Sequence, residues 1–136
     1  EKVYFAENVR VYLEEATPRV KATLSHNISW KDFSFYLRNT YYGKVTSPVL
    51  IDVNGDGTIG AQEHQSIADK VITDVSAAYQ VTKNVGLSLG VNNVFDIYPT
   101  KNLTASTNND QFIYSRSTSQ FGLNGRYVFA RINFNF

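Results

Sequence analysis

Apolar and polar residues alternate with a period of two along much of the chain, the pattern of a strand with two different faces. From Val85 the apolar positions are Val85, Leu87, Leu89 and Val91, and Gly86, Ser88, Gly90 and Asn92 fill the positions between them. Upstream, Val71, Val75, Ala77, Tyr79 and Val81 oppose Asp74, Ser76 and Gln80. Thr82-Lys83-Asn84 separates the two runs as a tight turn, which predicts a β-hairpin. A second hairpin is predicted where Val20, Ala22, Leu24 and Ile28 alternate with Lys21, Thr23, Ser25 and Asn27, turn at Ser29-Trp30-Lys31-Asp32, and resume as Phe33, Phe35, Leu37 and Tyr41 against Ser34, Tyr36, Arg38 and Thr40. Val9, Val11 and Leu13 read as one further strand. Val128, Ala130, Ile132, Phe134 and Phe136, opposed by Tyr127, Phe129, Arg131, Asn133 and Asn135, form the last.

The connections alternate between short and long. Turns near 29–32 and 82–84 are short, whereas 46–69 and 96–121 are long. Outer-membrane barrels have this asymmetry, with tight periplasmic turns and long extracellular loops. Alternation also fits a soluble sandwich, whose apolar face meets a second sheet. Three features favour lipid. Arg38, Arg131 and Tyr127 sit deep in strands on the polar side, as a wet lumen permits. Aromatics gather at strand ends, with Trp30, Phe33, Tyr79, Phe134 and Phe136 at one rim and Tyr41, Tyr42, Phe95 and Tyr98 at the other. The last apolar face, Val128 to Phe136, approaches the roughly 9–11 residues of a tilted transmembrane strand. Six strands do not close a barrel in hydrocarbon, where open edges are not tolerated, so the edges need partners.

Composition agrees with dispersed apolar content. Hydrophobic residues are 43% and aromatics 14%, with nine Tyr and nine Phe, yet mean hydropathy is −0.27. No apolar run approaches the roughly 18 residues of a membrane-spanning helix. Net charge is +1 with both signs mixed, which makes nucleic acid an unexpected partner. Cysteine is absent, which excludes disulfides and thiolate metal sites. Beginning at Glu1-Lys2-Val3 without an initiator Met or an apolar leader, the chain is expected to be a processed product or a fragment.

Leu87-Ser88-Leu89-Gly90-Val91-Asn92-Asn93-Val94-Phe95-Asp96-Ile97-Tyr98-Pro99 resembles the penultimate strand of TonB-dependent outer-membrane receptors, where an alternating strand and a Gly precede Asn-x-Phe-Asp and a nearby Pro. Phe121 to Phe136 is similar to that family's last strand, including a terminal aromatic read by the barrel-assembly machinery, here Phe134 and Phe136. Weaker likenesses lie at Glu15-Ala16-Thr17-Pro18-Arg19, Tyr42-Gly43-Lys44-Val45 and Thr73-Asp74-Val75-Ser76. The resemblance implies an all-β fold, an antiparallel transmembrane β-barrel segment of about six C-terminal strands, taken from a barrel of about 22. It implies active uptake of a scarce nutrient: a ferric siderophore, haem, cobalamin or a glycan. The implied partners are outer-membrane lipid, the rest of the barrel with its plug, and the TonB complex. Residues 1–136 would then be barrel wall, with 46–69 and 96–121 as extracellular loops. A porin or structural outer-membrane subunit is the alternative barrel.

Asp52-Val53-Asn54-Gly55-Asp56-Gly57-Thr58-Ile59-Gly60-Ala61-Gln62-Glu63 matches the twelve-residue EF-hand loop. Asp52, Asn54, Asp56, the Thr58 carbonyl and Glu63 would supply the oxygens that Ca2+ requires, with Gly57 at the sharp bend. The plain alternative is that Asn-Gly-Asp-Gly is a good turn. A soluble dockerin-like calcium module is a rival reading, with a helix at 61–72, but such modules carry the loop twice and here it occurs once among strands. Lys21, Arg38, Asp74 and Arg131 are expected to line the lumen, Asp74 joining an ion-pair network there. No enzyme is expected. His26 has lipid-facing parity, His64 falls in a loop expected to be mobile and solvated, and neither a nucleophile elbow nor a phosphate loop occurs.

Overall fold

The computed structural model describes residues 6–60, 63–103, 111–118 and 120–135. In chain order these form α1 (Glu7–Glu15), β1 (Lys21–Trp30), β2 (Phe33–Tyr42), β3 (Val45–Leu50), β4 (His64–Ile67), β5 (Lys70–Thr82), β6 (Val85–Asn92) and β7 (Tyr127–Phe134). They divide into two compact units. One comprises residues 22–41, 71–98 and 124–136, and the other residues 1–21, 42–70 and 99–123.

The first of these is built on a five-stranded sheet in the order β1-β2-β5-β6-β7. β2 runs antiparallel to β5, because Asp32 at the start of one meets Gln80 at the end of the other (N–H···O 2.8 Å). The two hairpins predicted from alternation are present, with turns at 31–32 and 83–84. Pairing then aligns like with like across strands. Tyr79, Leu87 and Ile132 form one row, Ala77, Leu89 and Ala130 the next, and Val75, Val91 and Val128 a third. The alternate rows are Gln80, Gly86 and Asn133, then Ala78, Ser88 and Arg131, then Ser76, Gly90 and Phe129. One side of β5, β6 and β7 is therefore almost wholly apolar, and the other is polar or small apart from the aromatic rings of Phe129 and Tyr127 on β7.

Burial in this unit is inverted relative to a soluble sheet. Leu24, Ile28, Leu89, Val128 and Ile132 are 55% to 66% exposed. The buried residues of the unit are Thr40, Thr73, Asp74, Gly86, Gly90 and Asn93, none with an apolar side chain beyond a methyl. Soluble antiparallel sheets bury the apolar face and wet the polar one. Here, among the described residues, no second protein layer covers the apolar face, while polar groups shield one another on the opposite side. Thr73 has the parity of the apolar face, and its hydroxyl donates to Asn39 Oδ1 at 2.7 Å at the end of that face away from the short turns.

Gly90 is required by close approach. Phe129 is its cross-strand partner and lays its ring over the glycine, while Ser76 stands on the other side, so a Cβ at position 90 would overlap both side chains. Aromatic rings stack where the sheet meets the short turns: Phe33 and Tyr79 have centroids 4.4 Å apart, and Lys31 lies over Trp30 at 5.0 Å.

The other unit has the ordinary arrangement, a small apolar core of Val11, Ala16, Val45, Ile51 and Ile67. α1 packs on β3, and β3 pairs antiparallel with β4, Val45 opposite Ile67. Two expectations are corrected here. The run Val9, Val11 and Leu13 is helix, not strand, so the sheet has five strands among the described residues where six were expected. Three alternating residues are too few to separate a period of 2 from 3.6, and Glu7, Arg10 and Glu14 have the i, i+3, i+4 spacing that places both carboxylates beside one guanidinium. Those contacts lower the Glu7 pKa, chiefly through its hydrogen bond from Arg10. The segment 46–69 is also more than a loop, since it contains most of β3 and all of β4.

The two faces should respond unequally to a long polar side chain. Leu89→Arg is expected to lower the stability of the full-length protein in phospholipid vesicles by about 2–4 kcal/mol, and Ser88→Gln on the adjacent polar position to change it by less than about 1 kcal/mol. Denaturant titration by tryptophan fluorescence reads both, and equal effects would mean the faces are not in different solvents.

Candidate functional site: the polar face and the outer segments

Asp74 is the centre of the polar face. Its Oδ2 accepts two bonds from Arg38, from Nε at 2.9 Å and Nη2 at 2.7 Å, and its Oδ1 accepts the Asn93 backbone N–H at 2.8 Å. One buried carboxylate thus joins β2, β5 and the end of β6. Planar guanidinium and carboxylate groups suit this two-bond geometry. Of the four residues predicted to line a lumen, Arg38 and Asp74 are brought together. Arg131 stands on the same face opposite Ser88, and makes no ion pair among the described residues. Lys21 starts β1 with its ammonium 4.9 Å from the centroid of the Tyr42 ring.

The segment that carries the family resemblance ends the strand. Asn93 and Asp96 both have positive φ, 51° and 56°, a conformation that Asn and Asp tolerate better than most residues. The Asn93 side chain copies a backbone partner, accepting from Ile97 N–H and donating to Ile97 C=O, each at 2.8 Å. Asp96 Oδ1 then accepts the Arg126 N–H at 2.7 Å, fastening the departing chain to the entry of β7. Asn93-Val94-Phe95-Asp96 therefore bounds a long connection at its two roots.

In the other unit two buried glutamines do work that alternation does not signal. Gln65 on β4 donates to Lys101 C=O at 2.7 Å and accepts from Leu103 N–H at 3.1 Å, so one side chain acts as a strand partner. Gln120 donates to both Gly43 C=O (2.6 Å) and Ala68 C=O (3.1 Å). The two long connections are joined through these side chains. His64 was expected to be solvated in a mobile loop, and this is corrected. It opens β4, half-buried, with Nδ1 2.9 Å from Ser47 O. Neighbouring strand pairing removes it from solvent. His26 is exposed on β1.

The 52–60 loop with Glu63 folds around its acidic side chains. Asp52 accepts from the backbone N–H groups of Gly55, Asp56 and Gly57, and Asp56 accepts from both the N–H and the hydroxyl of Thr58. The Thr58 bonds, hydroxyl first, hold the Asp56 pKa below its ordinary value. Asn54 Nδ2 donates to Asp56 Oδ2 at 3.1 Å and Glu63 Oε1 at 2.8 Å, and Gly57 takes φ 84°. The donor set suits a hard cation in type. Its carboxylates are bridged by the Asn54 amide and are not gathered into a group of three acidic side chains among the described residues. Phe134 ends β7, exposed, while Phe136, Ala61 and Gln62 lie outside the described residues.

Comparison with known proteins adds to this geometry. No family model matches the chain. Over 77 residues it is 38% identical to the ferrienterobactin receptor of Escherichia coli K12, covering 54% of this chain and 10% of that protein. Over 83 residues it is 34% identical to the ferric enterobactin receptor of Pseudomonas aeruginosa, covering 59% of this chain and 11% of that one. Over somewhat more than half its length, then, the chain is similar to two ferric enterobactin receptors. It matches about a tenth of the length of these curated relatives.

Because Asp74 also holds the Asn93 backbone, its loss should exceed that of its ion-pair partner. Asp74→Ala is expected to cost about 1–3 kcal/mol, and Arg38→Ala less, since the Arg38 side chain is 44% exposed and that of Asp74 11%. Denaturation midpoints of the two variants in the full-length protein test the order.

Proposed function

We propose that the chain is part of the wall of a TonB-dependent outer-membrane receptor that takes up a ferric siderophore of the enterobactin kind. The observation that carries the reading is the inverted sheet: a single layer with its apolar face uncovered and its ion pair on the other side. Acyl chains are the solvent in which such a face is stable, and closure with further strands is what its two edges, β1 and β7, require there. The similarity to ferric enterobactin receptors supports the nutrient class over haem, cobalamin or a glycan. Both relatives are receptors by name, which supports transport and not catalysis. In this reading Lys21, Arg38, Asp74 and Arg131 face the lumen, the 46–69 and 96–121 segments lie outside the cell, and the TonB complex and plug act through parts of the receptor beyond the matched tenth. Phe134 and Phe136 would serve the barrel-assembly machinery.

The receptor reading is tested by uptake. Cells lacking their own enterobactin receptors and carrying the full-length protein are expected to accumulate radiolabelled iron from ferric enterobactin, and to lose that accumulation when TonB is deleted. Uptake that survives the deletion would favour a diffusion channel such as a porin.

We further propose that Asp52, Asn54, Asp56, the Thr58 carbonyl and Glu63 bind Ca2+. The EF-hand spacing and the oxygen-rich side chains of the loop support this, and the ion would restrain a long exposed loop whose ordering is otherwise entropically costly. Calorimetry on the intact protein is expected to show Ca2+ binding that disappears in Glu63→Ala. Identical heats in the two proteins would remove the assignment.

A further inference from the structure

The unit formed by residues 1–21, 42–70 and 99–123 contains a cavity of about 90 Å3 whose wall includes Thr118, Gln120, Arg116 and Ser115. At roughly 30 Å3 per water this is room for about three waters or one compact small molecule. Its apolar side is supplied by Val45 and Ile67, both within the small core of the unit.

Two acceptors on this wall lack partners. Thr118 and Gln120 are 9% and 7% exposed, and among the described residues neither Thr118 Oγ1 nor Gln120 Oε1 has a hydrogen-bond partner. The orientation of the Gln120 amide is not arbitrary. Its nitrogen is held by two carbonyl oxygens, those of Gly43 and Ala68, which leaves Oε1 as the atom without a donor. Buried polar groups in folded proteins are nearly always satisfied, so an orphan pair beside a cavity calls for a donor inside it. Gln120 Oε1 accepts only, and Thr118 Oγ1 accepts or donates.

The remaining polar wall asks for the opposite partner. Arg116 brings a permanent positive charge, and its guanidinium is stacked 4.3 Å from the centroid of the Phe112 ring. Ser115 Oγ accepts the Ser117 N–H at 3.3 Å, which leaves its hydroxyl proton to give. A molecule matching this wall has a hydroxyl donor, a neighbouring anionic acceptor and a short apolar part. We propose that this cavity binds a small 2-hydroxycarboxylate, its hydroxyl donating to Gln120 Oε1 and accepting from the Thr118 hydroxyl, and its carboxylate facing Arg116. Every group involved lies in the one unit, so the inference does not rest on the membrane or uptake reading.

The probe is sodium lactate, titrated calorimetrically into the purified full-length protein, with propionate, which lacks the hydroxyl, and glycerol, which lacks the carboxylate. Lactate is expected to bind saturably, and propionate and glycerol each at least about fivefold more weakly. Thr118→Val should weaken lactate about tenfold and leave the unfolding midpoint unchanged, because its hydroxyl has no partner to lose among the described residues. Arg116→Gln, at an exposed position, should weaken lactate and leave glycerol unaltered. The proposal is overturned if the three probes bind alike or not at all. It is equally overturned if a crystal soaked in lactate shows only ordered water between Thr118 and Gln120.

Discussion

One constraint governs the five-stranded unit: its strands pair within a single sheet, with edges at β1 and β7, and among the described residues no protein covers the apolar face of that sheet. In water such a sheet would be unstable, since exposed apolar rows cost free energy in proportion to their area. In hydrocarbon the same rows are at no disadvantage, and the demand passes to the backbone, which must be fully paired. The row of Tyr79, Leu87 and Ile132 and the two rows beyond it are continuous because antiparallel registers align equal parities. The polar side then absorbs what lipid would reject, and the Arg38–Asp74 pair is placed there.

That polar side is closely packed at two points. Gly90 admits the Phe129 ring, and Asp74 is shared by a side chain and a backbone amide. Such sharing makes the pair structural as well as electrostatic. Its carboxylate ties the middle of the sheet to the point where the chain leaves β6, and Asn93 and Asp96 carry the connection on to β7.

The second unit follows different physics. It has a conventional core around Val11 and Val45, and its long segments are held by amide side chains acting as backbone partners. A glutamine does this well because its carboxamide presents a donor and an acceptor in the geometry of a peptide. The result is that segments far apart in the chain, such as Gly43 and Gln120, share one hydrogen bond. A long exposed connection would otherwise be left to local turns like that around Asp52.

Alternation by itself determined the two hairpins, the strand that ends at Phe134 and the assignment of each side chain to one of two faces, because a strand's period is a local property of the backbone. Spacing likewise marked Asp52, Asn54, Asp56 and Glu63 as one oxygen-rich loop, while the resemblance to a known family marked Asn93 and Asp96 at a strand end. Only the tertiary structure decided that Val9 to Leu13 are helical, that 46–69 carries a hairpin, and that Asp74 pairs with Arg38 while Arg131 stands opposite Ser88. The roles of Gln65, Thr118 and Gln120 were equally invisible. Each depends on contacts between segments distant in the chain, and no periodicity along one segment encodes which other segment will meet it.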